Sequence, residues 1–516
     1  MEFKNQQPTI HAQMENFLKG LKLKHEVSGV LPFAFSSKAL RRRLLQKFIG
    51  EHYSQMMTQF KGQKSPHFRL TLDHDQITLK PSAESVIETS PWLAVKNVYK
   101  MFQFAGYILI GLVKALTQKR TYYSPLTTYS LVSNINYEIF IPHQDKISEM
   151  VEYFKYGPIS ILKEENQVYL IKSTLNKDLR PYHLSSNPYL KIFQDHRLSR
   201  LDLVFTIMRT LKNMLMFMIL TLKDHNLSFL FKDIAFLAAV EMLDKKKLIK
   251  NFIFTNSEYT TQELWLQELP AQQKSFTTHM IWYSANSIGL EYKLGPKFFE
   301  YPGMRLNAIE EHWVWNQENL EWIRDLLKPK KIHNIGPMMW YLDKSVKTSR
   351  VKDKPFTVLV FDVPPLSDVH IQKNYSDLIY YYYSESNVTK FIQDIVDIMD
   401  NLKVPCIIKL KTKREVSKSH SVKYFENINQ LSHEGKIKLL SPHTDLFREI
   451  SDSDVCISIP YTSPGYIAEA LKIPSFFYDP MDIIDFSKRS LVSESVCLQS
   501  KDELQKALGV ISGRGN

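Results

Sequence analysis

The sequence predicts an α/β chain: two Rossmann-like domains in tandem behind a helical, basic N-terminal extension. Three observations predict it. From about residue 245, short apolar runs of strand length alternate with longer amphipathic stretches, the pattern of βαβ units around a parallel sheet. A polar, charged stretch at 344–354 interrupts the alternation once, and it then restarts. Near the C-terminus, residues 455–478 read as a buried strand, a hydroxyl-bearing turn, a helix and a second buried strand. The 516 residues, 44% hydrophobic and 23% charged, are enough to build several cores and argue against a disordered chain.

Residues 1–125 read as helical and basic, with Arg41, Arg42, Arg43 and Lys47 on what is either a solvated face or a face toward anionic lipid. A weak alternation at 68–80 suggests a hairpin. Two apolar stretches, 101–113 and 213–222, are flanked by Lys100 and Lys114 and by Lys212 and Lys223. Each stretch is well short of the ~20 residues that span a bilayer, so each is a buried core helix or an interfacial one. The first Rossmann-like domain is taken as 126–337, with strands at 168–172, 251–255, 278–283, 312–315 and 331–335. Its helices are 201–222 and 233–243, rich in Leu, Met and Phe, one that includes Trp265, and 318–327. The second domain, 338–516, has strands at 356–361, 404–410, 436–440, 455–460 and 475–478. Helices at 388–402, 424–431, 445–450 and 502–508 separate or follow them.

Lys and Arg outnumber Asp and Glu by 66 to 54, a net charge of +12 that favours anionic partners such as nucleotides, acidic glycans or an anionic membrane surface. Nucleic acid is disfavoured, because no zinc-spaced Cys/His set and no aromatic-interleaved RNA-binding strand accompanies the charge. The three cysteines, Cys406, Cys456 and Cys497, are scattered, which argues against a disulfide scaffold and a structural metal. The chain lacks the P-loop, the dinucleotide glycine fingerprint and the G-x-S-x-G elbow. Asp452 and Asp454 precede a strand and read as a solvated loop, so neither a metal nor another cofactor is expected. The polar N-terminus lacks a signal-peptide core, which makes the cytoplasm the expected compartment, with peripheral contact to an anionic membrane as a further expectation.

In open parallel sheets, ligands bind beyond the carboxyl ends of the strands. In the second domain those ends carry Asp362 and then Glu385; Lys409, Lys411, Lys413 and Arg414; Ser441 and His443; and Thr462 and Ser463. Thr462 and Ser463 open a helix whose N-terminal N–H groups suit a phosphate. Glu469, one to two turns further on, suits a sugar hydroxyl. Each element has a plainer reading: a capped helix, a solvated charge run, a residue at a helix start. Their shared topological position favours a site for a nucleotide diphosphate or a phosphodiester-linked sugar.

Pro460-Tyr461-Thr462-Ser463, followed by Glu469-Ala470-Leu471 and the run from Pro474 to Tyr478, resembles the motif of the bacterial surface-polysaccharide biosynthesis family named for Pro-Phe-Thr-Ser, with Tyr in place of Phe. Lys409, Lys411 and Arg414 resemble that family's basic strand end, and His312 to Trp315 the end of its first domain; the resemblance covers residues 250–510. It implies a GT-B glycosyltransferase, with two Rossmann-like domains facing a cleft, a nucleotide-sugar donor in the second and a glycan or lipid-linked glycan acceptor at the first. Thr462, Ser463 and their helix N-terminus would bind phosphate. Lys409, Lys411, Lys413 and Arg414 would neutralise the leaving group in place of a metal. Ser441 and His443 would contact ribose or phosphate, and Glu469 ribose or sugar. Ser441-Pro442-His443 reverses the His-Pro order of transferases that use CMP-activated acidic sugars, so a CMP-activated nonulosonic acid or Kdo is one donor to consider. An inverting reaction needs a base from the first domain, for which Glu258 is the first candidate and His279 the second; both also read as structural residues, and a retaining reaction needs neither. Rival readings are a CDP-glycerol-type phosphotransferase and a non-catalytic membrane scaffold of a polysaccharide assembly complex.

Overall fold

The computed structural model describes, with short internal gaps, residues 38–48, 68–117, 128–132, 167–195, 198–255, 262–269, 274–282, 292–293, 304–337, 355–370, 382–411, 419–441, 444–487 and 496–513. The alternation at 68–80 does form a hairpin: β1 (Phe68–Leu72) pairs antiparallel with β2 (Ile77–Pro81). A third strand, β3 (Val86–Thr89), adds parallel to β1, so the N-terminal extension holds a small mixed sheet as well as helices. The long helix α1 (Pro91–Thr117) follows it.

The first large sheet contains β4 (Thr128–Val132), β5 (Gln167–Lys172), β6 (Asp178–Leu179), β7 (Tyr182–Ser185), β8 (Ile249–Thr255), β9 (Thr277–Ile281), β10 (Glu311–Val314) and β11 (Lys331–Asn334). Its order is β11-β10-β9-β8-β4-β5-β7-β6, parallel throughout except for the edge strand β6. The second sheet contains β12 (Phe356–Phe361), β13 (Cys406–Lys411), β14 (Lys438–Leu439), β15 (Val455–Ser458), β16 (Ser475–Tyr478) and β17 (Val496–Leu498). It is all parallel, in the order β14-β13-β12-β15-β16-β17. Each sheet starts in its middle, winds outward one way, then returns and winds the other. This doubly wound order, twice in one chain, gives the α/β organisation of two Rossmann-like sheets. The strand β17 was not expected; three residues, Val-Cys-Leu, are too few to show a period.

Helices α2 (Pro188–Asp195), α3 (Arg200–Lys223), α4 (Phe231–Lys245), α5 (Leu264–Gln267) and α6 (Gln317–Leu327) belong to the first half. Helices α7 (Glu385–Leu402), α8 (Val422–His433), α9 (Leu446–Ser451), α10 (Ser463–Ala470) and α11 (Lys501–Ile511) serve the second. Local sequence sets their starts. Ser199 accepts from the Asp202 amide at 3.0 Å while Asp202 accepts back from the Ser199 amide at 3.2 Å, a capping box that begins α3. Ser500 and Glu503 do the same for α11.

The apolar stretches 101–113 and 213–222 are not short segments. They are the interiors of α1 and α3, 27 and 24 residues long, which by length and composition alone are apolar enough to cross a membrane. Lys96, Lys100, Lys114 and Lys212 interrupt the apolar run in sequence without breaking either helix. Both helices pack on α4, which is buried on nearly every face. Gly111 lets α1 approach α2 closely; a Cβ there would stand 2.5 Å from Leu190 Cδ1.

One core joins α1, α3 and α4 to one face of the first sheet through Leu131, Phe252, Met280 and Val314. Strand alternation sends Val132, Ile253, Ile281 and Trp313 to the other face, where they belong to one cluster with the core of the second domain. The two halves also meet where the Lys293 amide donates to the Ile483 carbonyl at 3.0 Å and the Lys293 ammonium pairs with Asp482.

Arg43 is neither on a solvated face nor toward lipid. It is 1% exposed, and its Nε donates to Asp233 Oδ1 on α4 at 2.8 Å. Asp233 Oδ1 also accepts the Leu264 amide that begins α5. A guanidinium at this depth requires such a carboxylate partner. Arg41 and the linker at 344–354 lie outside the described residues.

Candidate functional site

The winding of the second sheet reverses between β12 and β15, the position at which open parallel sheets place a ligand crevice beyond the carboxyl ends of their strands. Phe361 and Ser458 are register partners there, and the Ile459 amide donates to the Phe361 carbonyl at 2.9 Å. The chain then leaves β12 at Asp362 and β15 at the turn 459–462.

Both exits hold buried polar atoms that have no hydrogen-bond partner among the described residues: Asp362 Oδ1 and Ser458 Oγ. Asp362 Oδ2 accepts the Tyr424 hydroxyl from α8. Burial pushes the Asp362 carboxyl up to about 8, so at neutral pH it is mainly the neutral acid, able to donate as well as accept. The sequence places Asp362 at a strand end, but nothing in it singles out Ser458, which there is one more small residue in an apolar strand.

The turn that follows is tightly held. Tyr461 has a φ of 62°, a left-handed conformation uncommon outside glycine. Its ring packs against Phe477 and Phe486, with centroids 5.6 and 5.7 Å away. Thr462 is the N-cap of α10, yet its hydroxyl makes no cap bond and donates back to the Ile459 carbonyl at 3.1 Å. Ser463 is the first helical residue, Pro464 has no N–H to satisfy, and Gly465 brings the first turn against the Phe477 ring. Glu469 is half-buried near the far end of this eight-residue helix. At 1.5 Å per residue that is roughly 9 Å from the tip, about a phosphate and a sugar away.

Lys409 and Lys411 lie on β13, two residues apart and so on one face of the strand. Lys409 Nζ pairs with Glu449 Oε2 of α9 at 2.7 Å. Lys411 Nζ donates to the Thr444 carbonyl at 3.0 Å, and burial lowers its pKa against the opposing pull of Asp445 and Glu449. The structure therefore brings both lysines to the loop between β14 and β15, with Lys409 already holding a carboxylate. Ser441 is exposed just after β14, and its carbonyl accepts the Thr444 amide at 3.0 Å. Glu385 is engaged in fold contacts, accepting the Ser421 hydroxyl at 2.6 Å. Lys413, Arg414, His443 and Glu258 lie outside the described residues.

His279 sits inside β9, 4% exposed, rather than beyond a strand end. Its Nε2 donates to Asn251 Oδ1 at 3.0 Å and its Nδ1 accepts the Trp313 indole N–H at 3.3 Å. Burial, reinforced by neighbouring His333 and His312, lowers its pKa to about 3. A neutral imidazole with both nitrogens engaged ties three strands together and is not available to take an acceptor proton. His312 is held the same way by Trp282, at 2.9 Å. Among the described residues no group of three or more His, Cys, Asp or Glu side chains could hold a metal ion.

Residues 211–508, more than half of the chain, match the sequence family described as polysaccharide biosynthesis PFTS motif protein. No curated protein matches the chain in sequence. Among solved structures, sucrose-phosphate synthase from Thermosynechococcus elongatus aligns over 75% of this chain and 92% of its own, with a TM-score of 0.40 and 10% identity. The wall teichoic acid polymerase TagF aligns over 82% of this chain and 90% of its own, at 0.39 and 14%. The lipopolysaccharide outer core galactosyltransferase WaaB aligns over 76% and 92%, at 0.36 and 12%.

Proposed function

The chain belongs to the polysaccharide biosynthesis PFTS motif family, and from that premise we propose that it is a nucleotide-sugar-dependent glycosyltransferase that extends a bacterial surface glycan at the cytoplasmic face of the membrane. The observation that carries this reading is the reversal point of the second sheet. There β15 ends at Ser458, with its buried Oγ, and leads through the turn 459–462 into α10, which the Thr462 hydroxyl does not cap, while the adjoining strand β12 gives way to Asp362, with its buried Oδ1. The basic end of β13 lies one strand away.

In the reaction, the bond between the sugar's anomeric carbon and the donor phosphate breaks, and a bond from that carbon to an acceptor oxygen forms. The departing phosphate gains negative charge. The α10 tip with Thr462 and Ser463, and Lys411 with Lys413 and Arg414, would stabilise that charge without a metal. Lys409 joins them once its pair with Glu449 opens. The neutral Asp362 carboxyl would donate to the bound donor, Ser441 and His443 would meet ribose or phosphate, and Glu469 would accept from a sugar hydroxyl. If the reaction inverts, Glu258 remains our candidate for the base that takes the acceptor proton. We favour a CMP-activated acidic sugar as donor, on the strength of Ser441-Pro442-His443.

Calorimetric titration with CMP, CDP, UDP and GDP tests this. One nucleotide should bind, and Thr462→Ala with Ser463→Ala should weaken it about a hundredfold or more, since two hydroxyl contacts to a charged phosphate are each worth about 1.5–3 kcal/mol. CMP leaves from a CMP-activated sugar and from CDP-glycerol alike, so turnover of a CMP-activated acidic sugar supports that donor, whereas turnover of CDP-glycerol points to glycerol phosphate transfer. Undiminished affinity in the double variant removes the α10 tip as the donor site.

A further inference from the structure

The first domain carries an apolar surface that the donor crevice does not use. Helices α1 and α3 pack against each other as well as on α4, each burying one face. On the opposite face of α1, Trp92, Val95, Tyr99, Phe102, Ile110 and Val113 are exposed. On α3 the exposed set is Leu201, Val204, Met208, Leu211, Leu215 and Leu222. Spacings of three, four, seven and eight residues put each set on a single stripe. Trp92 is 65% exposed and Leu222 81%. Single exposed apolar side chains need no explanation, but two full-length stripes on neighbouring helices of 27 and 24 residues do.

Charge identifies what covers them. α1 has Lys96, Lys100 and Lys114 and no acid; α3 has Arg200, Arg209, Lys212 and Lys223 against one acid, Asp202. Asp202 is neutralised by Lys246 at 2.8 Å. Of the basic groups, Arg209 is held by Glu241 at 2.9 Å, and Lys100 Nζ stands over the Phe231 ring, 5.6 Å from its centroid. At about 100° per residue, Lys96, Lys114, Lys212 and Lys223 fall within roughly 90° of the centre of their stripes, on the flanks. An apolar stripe with a basic flank is complementary to an anionic lipid surface. A second copy of this chain fits poorly, because it would bring the same four flanking lysines against themselves. The inner faces rule out insertion across the bilayer without loss of the fold, since Asn97 is bonded to Ser228 at 3.2 Å and Thr206, Thr210 and Asn213 are buried with it.

We infer that the exposed face of the α1–α3 pair is a membrane-docking surface, lying in the headgroup–acyl boundary of an anionic bilayer. Trp92 and Tyr99 are the amphipathic aromatics that favour that boundary. The inference shares no residue with the donor crevice and stands or falls apart from it.

Sedimentation of the full chain with phosphatidylglycerol-containing and with pure phosphatidylcholine vesicles tests it. Binding should favour the anionic vesicles and weaken with salt. Met208→Asp with Leu215→Asp should cut that binding about a hundredfold or more, because it withdraws two apolar side chains from lipid and sets two charges in their place. The melting temperature and nucleotide affinity should stay unchanged. Lys212→Glu with Lys223→Glu should erase the preference for anionic lipid. As a check that does not depend on disruptive variants, Leu215→Trp should add emission that brominated lipid quenches. Val422→Trp, at a position 70% exposed on the second domain, should add emission that it does not quench. The inference is overturned by a wild-type chain that ignores both vesicles, or by binding that the aspartate pair leaves intact. It is equally overturned by a dimer, dissolved by the same pair, with no vesicle binding, which would assign the face to protein.

Discussion

At Asp362 the carboxyl leaves a buried strand with one oxygen accepting the Tyr424 hydroxyl and the other without a partner among the described residues. Its pKa in the fold, about 8, is far above the ordinary 3.8. Between those values the folded chain keeps a proton that the unfolded chain has lost, so this group makes stability fall as pH rises through the window. Asp362→Asn keeps an acceptor for Tyr424 and removes the titration. The gain in melting temperature over the wild type should therefore be larger near pH 7.5 than near pH 5; an equal gain at both, or a loss only at the higher pH, would show that Asp362 is ionised in the fold. His279 carries the opposite lesson. Its sequence neighbourhood reads more readily as a core residue than as a catalytic base, without excluding the base. Only the arrival of Asn251 and Trp313 from flanking strands decides the matter, and neither is its neighbour in sequence.

Elements were legible where their own residues carry the signal. The run Val-Cys-Ile-Ser, ended by Pro460, reads as a buried parallel strand, and α10 announces itself through the hydroxyls and Pro464 at its start. What could not be read was which way an apolar face points. The sequences of α1 and α3 show apolar residues all round, and only their packing on α4 separates an inner stripe from an outer one. The close seat of α10 on β16 is equally hidden. There Gly465 would, as alanine, place its Cβ 2.5 Å from two atoms of the buried Phe477 ring. Helix propensity alone predicts that Gly465→Ala stabilises by about 0.5–1 kcal/mol. Overpacking against a fixed ring predicts a net loss of about 1–3 kcal/mol instead. Urea denaturation separates the two by sign.

Over the whole molecule, the two sheets repeat one winding order, and each reverses beside its starting strand, at β4 and β8 in the first and at β12 and β15 in the second. The alternation of strand-length and helix-length runs foretold parallel sheets of βαβ units, but not which strands lie side by side. The contacts that bind the extension to the first domain were invisible, because Arg43 and Asp233 are 190 positions apart. Arg43→Met leaves Asp233 buried without its cation and should cost about 3–5 kcal/mol of unfolding free energy in urea. Adding Asp233→Leu should return much of it, and a single variant as stable as the wild type would deny the pair any structural weight. That node also bears on how the protein is inherited. The family match begins at residue 211, inside α3, yet Asp233 within the matched stretch draws its countercharge from residue 43. A chain reduced to the matched stretch would carry a stranded anion and a stripped α4. The heritable unit is therefore longer than the stretch by which its kinship is recognised, and relatives that keep an acid at this place should keep a cation far upstream of it.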